Sequence, residues 1–347
     1  MDKVLSIIIP TYNMSEFLGR CLDSLTPIKN IDRLDVIIVN DGSVDNSLEI
    51  ANRYVMSFPE SFRVIDKSNG NYGSCINAGL EQATGKYVKV LDADDFYDTP
   101  SLESFIATMA DIDADLIVTD FVRVYSPSKT KRNSFTIPAN VLLSYQSYRF
   151  HPEILKLWMH AAAYRTELLK HLGYRQTEGI SYTDVEWTFL PMCTIQTLYY
   201  LDMPLYHYVL GREGQTVSPT VMREKYGDNI KCTCSMILAY KKLLEQHDSL
   251  YTSEENRLML NKKLLRRIKT MYKYYLVMHS HEKLSLLTEL DDTLRDNLPE
   301  LYRLSGRIVV SNPLLPFHYV SHWRNSGIGR KHKLVTKLYR MMKHRAK

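Results

Sequence analysis

Lys86-Tyr-Val-Lys-Val-Leu-Asp-Ala-Asp-Asp95 sets a run of strand length directly against three carboxylates. A short β-rich run that stops at polar residues reads as a strand opening on a site, because ligands of open α/β sheets lie outside the carboxyl ends of the strands. The same grammar recurs on either side. Strands are expected at Val4–Ile9, Asp35–Val39, Phe62–Ile65, Lys86–Leu91 and Asp115–Thr119. Between the first of them, Ser15 can cap a helix with Phe17, Leu18, Cys21, Leu22 and Leu25 on one face, and Ser43 one with Leu48, Ala51 and Val55. Alternation of this kind predicts an α/β fold with a parallel sheet and crossover helices.

The bulk composition agrees. The 347 residues are 45% apolar and 24% charged, which is globular and excludes disorder as the default. No apolar run reaches the length of a membrane span, and Met1–Asn13 passes straight into turn residues without a signal-peptide pattern. A cytoplasmic location is expected, with the inner face of the plasma membrane as an option raised by the basic end of the sequence. The five cysteines form an odd set, and Cys232-Thr-Cys234 is too close to make a zinc site or a disulfide framework, so all five read as reduced thiols.

Four polar stations follow the strands: Pro10-Thr-Tyr-Asn13, Asn40-Asp-Gly-Ser43, Asp66 to Gly70, and Asp92-Ala-Asp-Asp95. In extended backbone residues i and i+2 project to one side, so Asp92 and Asp94 can face one ligand. Two hard carboxylates beside a pyrophosphate suit Mg²⁺ or Mn²⁺, which would stabilise a departing diphosphate as a Lewis acid. Taken alone, the acids are better explained as an acidic turn, or by Asp94 or Asp95 capping the helix that follows Pro100.

Together the stations resemble glycosyltransferase family 2, whose nucleotide-sugar domain has the Rossmann-like mixed sheet with flanking helices called GT-A. The matching text is Ser6-Ile-Ile-Ile-Pro-Thr-Tyr-Asn13, Val36-Ile-Ile-Val-Asn-Asp-Gly-Ser43, Asn69-Gly-Asn-Tyr-Gly73 with Asn77, and Thr84 through Asp95. The resemblance implies a nucleotide-diphosphate donor, a UDP-sugar by preference, and an inverting transfer to a hydroxyl of a glycan or lipid-linked acceptor in surface-polysaccharide synthesis. It implies that Thr11 and Tyr12, with Pro10, lie beside the base, that Asp41 binds base or ribose, that Asn69 and Asn77 belong to the donor site, and that Asp92 and Asp94 form the metal and diphosphate site. One departure stands out: Ser74-Cys75-Ile76 replaces the Arg that many members carry just before Asn77, and Lys89 or Arg212 is offered as the substitute cation.

An inverting transfer needs a base at the acceptor hydroxyl. In Ile180-Ser-Tyr-Thr-Asp-Val-Glu-Trp187 the resemblance points to Asp184 as that base, at the head of a helix over 182–194. Thr183 and Glu186 also form a capping box, so Glu186 reads as the cap. Arg212 and Gln215, between Gly211 and Gly214, resemble a segment that closes over the diphosphate; an Arg fork suits phosphate oxygens. His207 can serve as a metal or phosphate ligand but reads first as a packed strand residue within Thr197–Tyr208, and Trp158 and Trp187 can stack on a sugar ring but read first as core.

Residues 1–217 are therefore expected to form the catalytic domain, with 1–125 as the nucleotide-sugar half and 126–217 as the acceptor half and closing loop; 218–347 read as a helical region. Within it Lys262–Lys273 and Arg330–Lys343 mix basic and apolar residues, and nine Lys or Arg with no acid lie between Arg324 and Lys347. That composition fits an amphipathic surface on an anionic membrane as well as it fits a solvated helix face. Three rival readings arise. A basic nucleic-acid-binding protein would not place acids at the strand ends, so no nucleic-acid partner is expected. A nucleotidyltransferase would carry a Gly-rich basic loop after the first strand. A non-catalytic sugar-nucleotide-binding homologue would bind donor without turnover.

Overall fold

The computed structural model describes residues 2–212, 215, 218–246, 251–278, 284–308 and 318–326. The chain divides into two compact units, Met1–Met222 and Arg223–Lys347.

The first unit is built on one sheet. Its strands are β1 Leu5–Thr11, β2 Leu34–Asp41, β3 Phe62–Lys67, β4 Tyr87–Val90, β5 Phe96–Tyr97, β6 Leu116–Ser126, β7 Lys129–Asn133, β8 Leu142–Ser144, β9 Ala162–Arg165 and β10 Thr197–Val209. The order across the sheet is β3-β2-β1-β4-β9-β6-β10-β5, with β7 on β6 and β8 on β10. Strands β1 to β4 are mutually parallel, which requires helices on the faces and explains their continuous apolar text: Leu5, Ile7, Ile8 and Ile9 are all fully buried. Strand β9 runs antiparallel between β4 and β6, while β6 and β10 are parallel. The result is the mixed sheet with flanking helices of a GT-A fold, rather than the wholly parallel sheet that alternation alone suggested.

Four helices flank the nucleotide-type half: α1 Leu18–Asp23, α2 Ser47–Ser57, α3 Asn71–Gln82 and α4 Thr99–Met109. Helix α3 lies so close to β1 that a Cβ on Gly79 would stand 2.5 Å from Ile8 Cγ2. The caps differ from those expected. Ser15 and Ser43 do not cap: α1 begins after Phe17 with no side-chain cap, and α2 begins after Asn46. Instead Asp45 accepts from the Ser15 and Ser47 amides at 2.9 and 3.0 Å, joining the loops of the first two stations through one carboxylate. The helix expected over 182–194 is two 3-10 segments, Thr183–Thr188 and Leu190–Cys193, entered through Tyr182 in left-handed backbone.

The second unit is helical: Tyr226–Glu245, Glu254–Lys273, Leu284–Asn297, Pro299–Gly306 and Tyr319–Ser326. Leu260, Leu264, Ile268, Met271 and Tyr272 are buried along Glu254–Lys273, so the apolar face of that basic segment is spent inside the unit. A buried ion pair, Arg324 Nη2 to Asp291 Oδ1 at 2.6 Å, is shared with the Tyr272 hydroxyl. No described helix is long and apolar enough to cross a membrane. The basic stretch Arg330–Lys347 lies outside the described residues.

Candidate active site

The acidic station is a turn, not an extension of β4. The Asp95 amide donates to the Asp92 carbonyl at 2.9 Å, so the expectation that Asp92 and Asp94 share a direction, which needed extended backbone, fails. The carboxylates that meet are those of Asp92 and Asp95, and His160 joins them: one ligand atom from each lies within 4.8 Å of the other two. Asp95 is buried and fastened to β10, its Oδ2 accepting from the Tyr206 hydroxyl at 2.6 Å and its Oδ1 from the Val209 amide at 2.7 Å. Neither Asp94 nor Asp95 caps α4. That role falls to Asp98, whose Oδ2 accepts from the Ser101 amide at 3.0 Å, so the capping alternative falls while the turn is observed.

Crowding shapes the protonation of this cluster. Burial and the nearby charge of Asp94 push Asp92 up to about 7 against a 2.8 Å hydrogen bond from the Tyr72 hydroxyl. Asp95 is raised by burial and by Asp92. His160 moves the other way, down to about 3, through burial and the charges of Lys89 and Arg123. Its buried Nδ1 has no hydrogen-bond partner among the described residues. Two carboxylates that resist ionising together, beside a neutral imidazole with an idle nitrogen, fit a divalent cation; the mixed oxygen and nitrogen set suits Mn²⁺ better than Mg²⁺.

Asp94 sits beside this group but is engaged elsewhere. Arg212 donates to its Oδ2 through Nε at 3.0 Å and Nη2 at 2.8 Å, and the guanidinium lies 4.9 Å from the Phe17 ring centroid. Gln215 holds the arginine's backbone, accepting from the Gly211 and Arg212 amides at 2.9 and 3.2 Å, and reaches Asp94 with Nε2 at 3.3 Å.

At the second and third stations the structure brings together a constellation whose key cation was not foreseen. Asp41 is buried, and its Oδ1 accepts from Lys67 Nζ at 2.6 Å and from the Gly70 amide at 2.9 Å. The exposed Asn69 donates to the Asp41 carbonyl at 3.0 Å. Lys67 also donates to Ser74 Oγ at 2.9 Å, so it stands at the position where the sequence lacks an arginine. Lys89 does not fill that gap: it is fully buried, with Nζ donating to the carbonyls of His160 and Ala162 at 2.6 and 3.4 Å. Asn77 is also spent on the fold, exchanging hydrogen bonds with the Gln176 backbone and donating to Glu178 at 2.7 Å. Of the first station, Thr11 is buried and donates to the Ile9 carbonyl, Pro10 is half-buried within β1, and Tyr12 is exposed.

Asp184 lies half-buried on the first 3-10 segment, close enough that its charge raises Tyr72, Asp92 and Tyr208. Glu186 is no helix cap. It is buried and accepts from the amide and the hydroxyl of Thr177, both at 2.7 Å, while Thr183 donates to Gln176 rather than along its own helix. His207 packs on Phe96 in β10 and Trp187 is fully buried, as read from the sequence. Trp158 departs from its core reading, with 46% of its surface exposed.

The profile described as Glycosyl transferase family 2 matches residues 6–173, a span holding all four stations. Residues 6–173 carry a glycosyl transferase family 2 domain. Among curated relatives, an uncharacterized glycosyltransferase, YibD of Escherichia coli K12, is 32% identical over 215 residues, covering 59% of this chain and 61% of that one. The chain thus spans less than two thirds of that relative's length. The chondroitin synthase of Pasteurella multocida is 39% identical over 100 residues, 29% of this chain and 10% of that enzyme. Among solved structures, S. aureus TarS residues 1–349 in complex with UDP-GlcNAc superposes with a TM-score of 0.71 at 19% identity, over 97% of this chain and 92% of that one, which is a likeness of fold. Within the family 2 domain, Lys67, Tyr72 and His160 are the residues that sequence reasoning did not single out, and Asp95 is one it read only as a turn or cap residue.

Proposed function

We propose that the chain is an inverting glycosyltransferase that moves a sugar from a nucleotide-diphosphate donor, a UDP-sugar, to a hydroxyl of a glycan or lipid-linked acceptor. The observation that carries this reading is the Asp92–Asp95–His160 group, with Asp184 and the Arg212-bonded Asp94 near enough for both charges to raise Asp92. Asp92, Asp95 and His160, with Asp94 beside them, would hold Mn²⁺ or Mg²⁺, which when bound supplies Lewis-acid stabilisation of the departing diphosphate.

The remaining roles belong to the chain itself. Tyr12 offers an exposed ring to the base, and Asp41, oriented by Lys67 and Gly70, accepts from base or ribose. Arg212 exchanges Asp94 for the diphosphate oxygens when the donor arrives, with Gln215 steadying the loop, because a planar fork matches phosphate geometry. Asp184 takes the proton of the acceptor hydroxyl as its oxygen forms a bond to the anomeric carbon and the bond to the nucleoside diphosphate breaks on the opposite face.

The UDP preference is supported by the UDP-GlcNAc held in the TarS fold relative, and surface-polysaccharide synthesis by the chondroitin synthase. A cytoplasmic site is supported by five buried free cysteines. Contact with an anionic membrane face is proposed on the sequence of Arg330–Lys347 alone. The direct test is a thermal-shift panel of nucleotide sugars with and without Mn²⁺, followed by donor hydrolysis. A rise in melting temperature for one UDP-sugar that needs the metal supports the reading. No shift with any nucleotide sugar rejects it, and binding without turnover identifies a non-catalytic homologue.

A further inference from the structure

The sheet face that leads away from the Asp92–Asp95–His160 group carries rings and cations, and the transfer mechanism uses none of them. Strand register sets Arg123 of β6 between Tyr208 of β10 and Lys131 of β7. Residues opposite one another in neighbouring strands point to the same face, so the three form a row. The row before it pairs Phe121 with Tyr206. Trp158 lies over this face: its ring centroid is 5.9 Å from that of Phe121 and 6.0 Å from that of His160, and Arg123 stands 4.8 Å from it. His160 itself stacks on Tyr208 at 4.4 Å, so the rings run unbroken from the carboxylate cluster to Trp158.

Two features of this platform are unusual for packing. Trp158 keeps 46% of its surface open, whereas Trp187 and Trp323 keep at most 1%. Arg123 forms no ion pair among the described residues; it meets only the rings of Phe121 and Trp158. Its neighbour Arg132 shows the contrast, being tied to both Asp120 and Asp202. An open indole offers a flat apolar face to the C–H side of a sugar ring, and an unneutralised guanidinium beside it, with exposed Lys131 next in the row, offers donors to an anion.

We propose that Trp158 and Arg123 form the acceptor-recognition platform, and that the acceptor is an anionic glycan: a sugar ring stacked on Trp158 whose carboxylate or phosphate is held by Arg123, with Lys131 adding to the field. The platform adjoins His160, so a sugar on Trp158 presents its neighbouring unit to the cluster and to Asp184. This deepens the transfer reading and rests on it.

The test uses Trp158 itself, because acrylamide quenches an open indole far more readily than Trp187 or Trp323. Quenching of the full chain, with Mn²⁺ and UDP present, is measured against maltotetraose, its 6-phosphate, tetragalacturonate and inorganic phosphate. Charged tetrasaccharides are expected to protect Trp158 at concentrations about five- to tenfold below those of maltotetraose, and Arg123→Gln to erase that difference. Protection by only one charged sugar assigns the anion as phosphate or carboxylate; inorganic phosphate, lacking a ring, does not protect. Equal protection by neutral and charged sugars, no protection by any of them at millimolar concentration, or an Arg123→Gln protein that still discriminates overturns the platform. The wild-type melting shift with a UDP-sugar, measured on the same sample, separates the two ideas: its absence rejects the transfer reading, whereas its presence with charge-blind protection rejects only the platform.

Discussion

Replacing Arg212 by Ala should move metal binding and turnover in opposite directions. Arg212 makes two charge-assisted bonds to Asp94 Oδ2, at 3.0 and 2.8 Å, with the two side chains 23% and 13% exposed. A cation that uses Asp94 must first displace this guanidinium. Hydrogen bonds to charged groups contribute about 1.5–3 kcal/mol, and partial exposure places this pair at the low end, so its removal should tighten Mn²⁺ binding about tenfold. Turnover should nevertheless fall by about 10²–10³, because the same arginine would no longer meet the developing charge on the diphosphate. Calorimetric titration of nucleotide-free protein with Mn²⁺ reads the first effect, and donor hydrolysis reads the second. Arg212→Lys keeps the charge without the fork and should fall between. Unchanged Mn²⁺ affinity in Arg212→Ala would refute the competition and assign the metal to Asp92, Asp95 and His160 without Asp94.

Other perturbations test separate parts of the site. Asp184→Asn should lower transfer by about 10²–10⁴ with donor affinity unchanged, since an amide cannot accept the acceptor proton; near-normal turnover in a folded variant would remove Asp184 from the base role. Glu186→Ala leaves the half-buried Thr177 amide and hydroxyl without the acceptor they meet at 2.7 Å, and should lower unfolding free energy by about 1–3 kcal/mol at unchanged m-value; a loss below about 0.5 kcal/mol would show that the loop finds another acceptor. Gly73→Ala should destabilise despite a helix-propensity gain of about 1 kcal/mol, because its Cβ would lie 2.0 Å from the Thr177 carbonyl oxygen; a stabilised variant would mean that the loop yields freely.

The sheet was legible where burial on both faces writes an unbroken apolar run, as in β1, β2, β4 and the start of β6. It was illegible where pairing rather than composition makes the strand. Lys129-Thr-Lys-Arg-Asn133 contains no apolar residue, and Ala162-Ala-Tyr-Arg165 has helix-forming text, yet each is a strand because a neighbour offers it a ladder. The omission of His160 follows from the omission of β9. An antiparallel strand brings its amino end to the sheet edge where parallel strands end, so His160, two residues before β9, stands with the acids after β4. A search confined to carboxyl ends passes over it. The acidic station shows the converse error: Asp92, Ala93, Asp94 and Asp95 were legible as a site, but the i, i+2 rule was applied to a turn, and Asp95 was left out of the group it joins.

Lys67 bears on how a family site tolerates the loss of an arginine. Ser74 cannot carry charge, and a serine hydroxyl beside the buried Asp41 would leave that carboxylate with only the Gly70 amide as a close donor. Lys67 reaches across from the end of β3 to bond Asp41, Ser74 and the Ser68 carbonyl at once, so the positive charge is retained while its anchor moves from helix to strand. The register makes this available, because Lys67 is the direct neighbour of Asp41 across β2 and β3. An ammonium on a flexible stem cannot reproduce the bidentate grip of a guanidinium on a diphosphate. In the proposed transfer the charge at this station would serve Asp41 and the base or ribose side of the donor, leaving the diphosphate to Arg212. That division makes the loop arginine, rather than a helix-borne one, the residue on which capture of the leaving group depends.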